Sequence, residues 1–121
     1  MPQSLRRFHV GDRLSEMATF NHVVYLAGQV PSDATQGIAG QTRQVLAAID
    51  RLLAEAGTDN GHILMATIYL ADLADFDAMN AVWDDWVPPG DAPPRATVQA
   101  HLAQPGWKIE VVVTAALSAS A

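Results

Sequence analysis

The sequence predicts an α+β fold in which one β-sheet carries two helices on a single face. The chain of 121 residues (12.9 kDa) is 50% apolar, which is enough to bury one core but not two. Two segments repeat apolar residues at helical spacing, and the segments around them are short and rich in β-branched residues. A single domain over residues 1–121 is therefore expected, with residues 1–4 and 118–121 loose.

The N-terminal third is predicted to contain three strands. Residues 5–10 are a candidate first strand. The stronger candidate covers residues 22–29, where a run of apolar residues is followed by the turn formers Gly28 and Pro31. Residues 18–20 are expected to pair with this segment as a tight hairpin.

The first helix is predicted over residues 36–56. Its apolar residues recur at spacings of three, four and seven, so they form one stripe, and polar residues such as Gln41 fall largely on the other side. Gly57 follows the last periodic residue and suits the left-handed backbone that commonly ends a helix.

The second helix is predicted over residues 75–87, where Asp72 or Asp75 can cap its N-terminus and two prolines follow its end. Its apolar stripe, which includes three aromatic residues, is typical of a buried core face. The stripe contains Phe76, Met79, Val82, Trp83, Trp86 and Val87.

Three further strands complete the predicted sheet. Residues 63–71 are nearly all apolar, which indicates a strand covered on both faces or lying in an interface. Residues 95–102 and 108–117 alternate, so that side chains two positions apart share a face. In the earlier of these two strands the shared face carries Arg95, Thr97, Gln99 and His101.

The sheet face away from the helices is expected to be too apolar to remain in water. A homo-oligomer that buries this face is the simplest solution, and cyclic symmetry is the commonest arrangement. The residues expected on this face are Val23, Tyr25, Ile68 and Val112.

Composition excludes several classes of function. The chain has no cysteine, which removes disulfides, thiolate nucleophiles and cysteine-bound metals, and its four histidines match no metal-binding pattern. A net charge of −6 and a pI near 4.8 disfavour nucleic acid as a partner. Since no targeting or membrane-spanning segment is recognisable, we expect a cytoplasmic protein.

Two charged residues within strands are candidates for chemistry. Arg95 begins an alternating strand, and Glu110 lies between two apolar residues. They suit a structural ion pair, or a site in which arginine clamps a carboxylate and glutamate positions or deprotonates water. A hairpin of the last two strands would hold them roughly 17–20 Å apart, so another strand must intervene or the site must combine subunits. His101 is a further residue that could approach such a site.

The segment P-P-R-A-T-V-Q-A-H-L-A-Q-P-G-W-K-I-E-V at residues 93–111 resembles the signature of the Rid (reactive intermediate deaminase) family, also called the YjgF family. Three other blocks are similar to the family as well, so the resemblance covers roughly residues 10–117. These blocks are residues 23–31, 40–57 and 66–83.

The resemblance implies a chorismate-mutase-like fold with a mixed sheet, and a homotrimer with three grooves between subunits. It implies hydrolysis of enamines or imines such as 2-aminoacrylate to 2-keto acids and ammonia, without a metal or organic cofactor. Arg95 would bind the substrate carboxylate and Glu110 would hold the attacking water. The residues that would line the groove are Gly28, Asn80, Ala96 and Thr97.

Two departures from the archetypal deaminases indicate a divergent branch. Residues 13–16 read R-L-S-E where those proteins carry a tyrosine, and Ala27 stands in place of a serine. Three functions therefore remain open: an enamine/imine deaminase, a non-catalytic protein that binds small carboxylates in the same groove, and a ribonuclease. The acidic charge balance disfavours the ribonuclease.

Overall fold

The computed structural model describes residues 4–117, and its architecture confirms the predicted α+β class. One-turn 3-10 helices at Asn60–His62 and Leu73–Asp75 precede the fourth strand and the second helix. The ends predicted to be loose, 1–4 and 118–121, lie outside the described residues except for Ser4. In chain order the elements are β1 (Arg6–Val10), β2 (Ser15–Phe20), β3 (Val23–Leu26), α1 (Ile38–Ala56), β4 (Ile63–Leu70), α2 (Phe76–Trp86), β5 (Arg95–Gln99) and β6 (Ile109–Ala116).

The six strands form one mixed sheet in the order β1-β2-β3-β6-β4-β5. Among the strands of residues 4–117, only β4 and β5 run parallel, and every other neighbouring pair is antiparallel. The last two strands therefore do not form a hairpin, and β4 is the strand that intervenes between β5 and β6. Parallel neighbours cannot be joined by a tight turn, and α2 supplies the crossover that brings β5 alongside β4.

The core lies between the two helices and one face of the sheet. β6 shows most clearly which face of the sheet is buried, because its side chains alternate between buried and half-buried along its whole length. Val23 and Tyr25 pair with Ala116 and Thr114 on the face away from the helices, as expected.

The placement of Ile68 on that outer face is wrong. Ile68 is fully buried and pairs with Val111 on the helix side of the sheet. In a strand that is almost entirely apolar, the alternation carries no signal that tells one face from the other.

The predicted C-terminal end of α1 is confirmed, whereas α1 starts at Ile38 instead of residue 36 and the capping of α2 is revised. Gly57 adopts a left-handed conformation (φ 95°) and donates its N–H to the carbonyl of Ala54. Asp72 accepts a hydrogen bond from the N–H of Ala74, so it caps the 3-10 turn that precedes α2. Asp75 is the residue before α2 and makes no side-chain capping bond.

Gln41 is buried completely, which corrects its predicted place on the polar side of the first helix. Its Nε2 donates to the carbonyls of Gln36 (2.9 Å) and Gly106 (3.1 Å), and its Oε1 accepts from the N–H of Lys108 (2.8 Å). Backbone groups of irregular segments thus satisfy the hydrogen-bonding groups of the buried Gln41 side-chain amide. Gln41 thereby connects α1 to the start of β6, two residues before Glu110.

Candidate functional site

Glu110 lies half-buried in β6 on the face away from the helices, opposite Tyr69 of β4. Within residues 4–117 its carboxylate has no hydrogen bond or ion pair. The structure therefore contains no Arg95–Glu110 ion pair within one protomer, and the Glu110 carboxylate is free to accept a bond from water or from another molecule.

Gly28 lies directly against this carboxylate. Gln29 and Val111 exchange two backbone hydrogen bonds of 2.8 and 3.0 Å, which bring the segment after β3 alongside β6. A Cβ placed on Gly28 would lie 2.9 Å from Cδ of Glu110 and would overlap Oε2. Only glycine leaves room here for the carboxylate in its observed position.

A depression of about 300 Å³ opens beside Glu110 on the same side of the sheet. β5 ends at Gln99, so His101 lies beyond the strand and lines this depression. The predicted strand to residue 102, with His101 on the face of Thr97, is therefore wrong. The lining residues are Tyr69, Ala100, His101, Leu102, Ala103, Glu110 and Val112.

Arg95 occupies a second place, on the helix side of the edge strand β5. It pairs with Ala66, which is fully buried, and its guanidinium carbon lies 5.2 Å from the centroid of the Trp83 ring and 5.9 Å from that of Phe76. No hydrogen bond or ion pair joins the Arg95 side chain to any other residue in the described range 4–117. Its N–H donors therefore remain available.

Two buried polar atoms near Arg95 also lack partners in the described part of the chain. They are Oδ1 of Asn80 and Oγ1 of Thr97. Asn80 lies on α2 between Phe76 and Trp83, and Thr97 follows Arg95 by two residues on the same face of β5. Because buried polar atoms almost always have a partner, this pair indicates one supplied from outside the protomer.

The candidate residues thus form two separate groups. Gly28 lies with Glu110, and Asn80 and Thr97 lie with Arg95, whereas Ala96 pairs with Thr67 on the opposite face from Arg95. Arg95 pairs with Ala66 and Glu110 pairs with Tyr69, and both partners belong to β4, which lies between β5 and β6. The Cα atoms of Arg95 and Glu110 are therefore about 14 Å apart, and their side chains leave opposite faces of the sheet.

Phe76 lies beside Arg95, a position that the helical pattern did not predict. The apolar stripe placed it in the core with Trp83, yet 38% of its surface is exposed and its ring faces Arg95. The available signal is its spacing: Phe76, Asn80 and Trp83 are four and three residues apart, which puts a polar amide inside an aromatic stripe.

Comparison with known proteins gives one family. The family described as "Endoribonuclease L-PSP" matches residues 5–117. A RutC family protein of Haemophilus ducreyi is 51% identical over 114 residues, covering 94% of this chain and 97% of the relative. The RutC family protein YoaB of Escherichia coli is 44% identical over 105 residues, covering 87% and 91%.

Solved structures agree in fold. A YjgF family member from Neisseria meningitidis superposes with a TM-score of 0.93 at 45% identity, covering 95% of this chain and 96% of that one. A Rid family protein from Yersinia pestis gives 0.82 at 29% identity, covering 89% and 90%. The expected chorismate-mutase-like arrangement of one mixed sheet and two helices is confirmed.

Proposed function

The chain belongs to the endoribonuclease L-PSP family, which includes the YjgF and Rid proteins, and from this premise we propose that it hydrolyses reactive enamines or imines to 2-keto acids and ammonia. The observation that carries the proposal is the pair of unsatisfied groups. One is a guanidinium beside two orphaned buried oxygens, and the other is a half-buried carboxylate held against a glycine.

Arg95 is proposed to bind the substrate carboxylate. A guanidinium offers two parallel N–H donors to a carboxylate, which gives both affinity and a fixed orientation. Oδ1 of Asn80 can then accept a hydrogen bond from the substrate nitrogen, and the hydroxyl of Thr97 can donate or accept another. This supports a substrate that carries an N–H group next to a carboxylate, such as 2-aminoacrylate or its imine.

Glu110 is proposed to hold and deprotonate the attacking water. Glu110 takes one proton from the water and passes it to the imine nitrogen as the water oxygen adds to C2, so a neutral carbinolamine forms. Glu110 then takes the hydroxyl proton of the carbinolamine and delivers it to the amino nitrogen, the C–N bond breaks, ammonia leaves and the C2–O bond becomes the keto group. The net reaction adds one water to the imino acid and releases one ammonia.

The two groups require a second protomer to complete one site. They leave opposite faces of one sheet, and Arg95 lies on the edge strand, from which it can reach a neighbouring subunit. We propose a homotrimer with three such grooves, in which the outer sheet face is buried. The exposed large apolar residues of this outer face are Phe20, Tyr25, Met65 and Val98.

Light scattering at micromolar concentration is expected to give three times the 12.9 kDa mass of the chain. Tyr25→Glu places a charge on the outer face and is expected to shift the protein towards monomers. Leu73→Glu is the matched control, because Leu73 is 48% exposed against 50% for Tyr25 but lies outside the sheet. A wild-type mass near 12.9 kDa would overturn the trimer.

The test of the activity is keto-acid release from 2-aminoacrylate and 2-iminobutyrate generated in place by a second enzyme. We expect release faster than in buffer. In Arg95→Ala, the loss of a charge-assisted pair is expected to weaken substrate affinity by about 10- to 150-fold. Release no faster than in buffer, together with pyruvate binding that needs Arg95, would instead assign a non-catalytic carboxylate-binding protein.

A ribonuclease, the activity in the family's description, is disfavoured. RNA binding draws on clustered lysine and arginine, and this chain carries a net charge of −6. Among residues 4–117, no helix is long and apolar enough to span a membrane, and no cluster of three potential metal ligands occurs. The resemblance to the Rid family supports a reaction that uses no metal or organic cofactor, and we propose that it takes place in the cytoplasm.

A further inference from the structure

We infer that Trp83 and Phe76 are positioning residues for Arg95, whose guanidinium they hold in the orientation that binds the substrate carboxylate. This inference rests on the proposed function, since it takes Arg95 as the carboxylate clamp. It assigns to two aromatic residues a role that acts through Arg95 and not on the substrate itself.

The contacts of Arg95 carry the argument. Its guanidinium carbon lies 5.2 Å from the Trp83 centroid and 5.9 Å from the Phe76 centroid, within the range of a cation–π interaction. In the described residues 4–117 no other side chain bonds to it. Without the rings, this long side chain would sample many rotamers, and carboxylate binding would have to order it.

Aromatic rings suit this role better than an acidic residue would. An aspartate or glutamate beside Arg95 would occupy its N–H donors and compete with the incoming carboxylate. A ring attracts the cation through its π face and uses none of the in-plane donors. The donors that form a bidentate bond with a carboxylate therefore stay free while the side chain is held.

The Trp83 ring is itself fixed in place. It is only 5% exposed, and it packs against Trp86 with centroids 5.3 Å apart and planes tilted by 53°. Trp86 in turn donates its Nε1–H to a carboxylate oxygen of Asp50 on α1 at 2.9 Å. A continuous set of contacts thus connects the first helix to Arg95. Both helices therefore hold the Trp83 ring in position.

The test compares aromatic and aliphatic replacements in the full chain by calorimetric titration with pyruvate. Trp83→Leu is expected to weaken pyruvate binding by about 5- to 30-fold, whereas Trp83→Phe, which keeps a π face, stays within about threefold of wild type. Phe76→Leu and Phe76→Tyr form a second pair, with a smaller expected loss of about two- to fivefold for the leucine. Because Phe76 is partly exposed, this pair keeps the test usable if Trp83→Leu does not fold.

In the deaminase assay the leucine variants are expected to raise KM and to leave kcat nearly unchanged, which general destabilisation would not produce. Val82→Ala removes an apolar contact from the same turn of α2, in the cleft between the helices, and serves as the control with unchanged binding. If the wild type binds pyruvate and the leucine variants bind it equally well, this inference is overturned and the proposed function is not. Wild-type protein that binds no pyruvate would overturn the proposed function and this inference with it.

Discussion

Glu110→Gln is expected to reduce deaminase turnover by about 100- to 10,000-fold, the range for removal of a general base. The oligomer, the melting temperature and pyruvate binding are expected to stay as in wild type. The reason is that the Glu110 carboxylate has no internal partner among the described residues, so an amide of the same shape breaks no bond. What it loses is the ability to take a proton from water. Keto-acid release, light scattering and calorimetry on the same preparation measure the three properties.

Glu55→Gln is the matched control for this charge removal. Glu55 lies on the exposed side of α1, where it pairs with His9 at 2.8 Å, on the face of the sheet opposite to Glu110. We expect it to retain full turnover. A Glu110→Gln protein with full turnover would remove Glu110 from the mechanism, and one that no longer assembles would make it an interface residue instead.

Gly28→Ala is expected to lower turnover by about 100-fold while the protein folds normally. The added methyl group would overlap the Glu110 carboxylate, but that carboxylate ends a flexible side chain and can move aside at little cost in folding free energy. A catalytic group displaced by an ångström can lose about 100-fold in rate. Thermal unfolding together with keto-acid release separates the two effects.

A double-mutant cycle identifies the cause of that loss. If Gly28→Ala acts by displacing the carboxylate, it should add little to a protein that already carries Glu110→Gln. Gly37→Ala is the control, because a Cβ at Gly37 meets no atom within 4 Å. Additive losses in the cycle would show that Gly28 acts by another route, such as direct contact with substrate.

Local patterns predicted the elements of this fold well. The periodicity of α1 identified its buried apolar residues, and Gly57 ended the helix with the expected left-handed backbone. The alternation of β6 placed Glu110 on the face away from the core. In each case the residues that predict the feature lie within a few positions of it. Local sequence is therefore enough to determine these features.

Features that depend on distant partners were not predictable in this way. The position of β4 between β5 and β6 depends on pairings between strands far apart in the chain, and no local pattern records them. For the same reason, the sequence could not show that Arg95 and Glu110 leave opposite faces. The burial of Gln41 depends on the carbonyl of Gly106, which lies 65 residues away.

The central position of β6 also bears on how the protein is made. Strands β1 to β3 pair in sequence, and β4 pairs with β5, to which α2 connects it. Within the described sheet, these two sets of strands meet only through β6. During synthesis on a ribosome, both sets emerge before the strand that joins them. Each leaves an unpaired strand edge until residues 109–116 arrive, and such edges favour pairing with other chains. Chaperone protection of the nascent chain would matter most in the interval just before β6 is released.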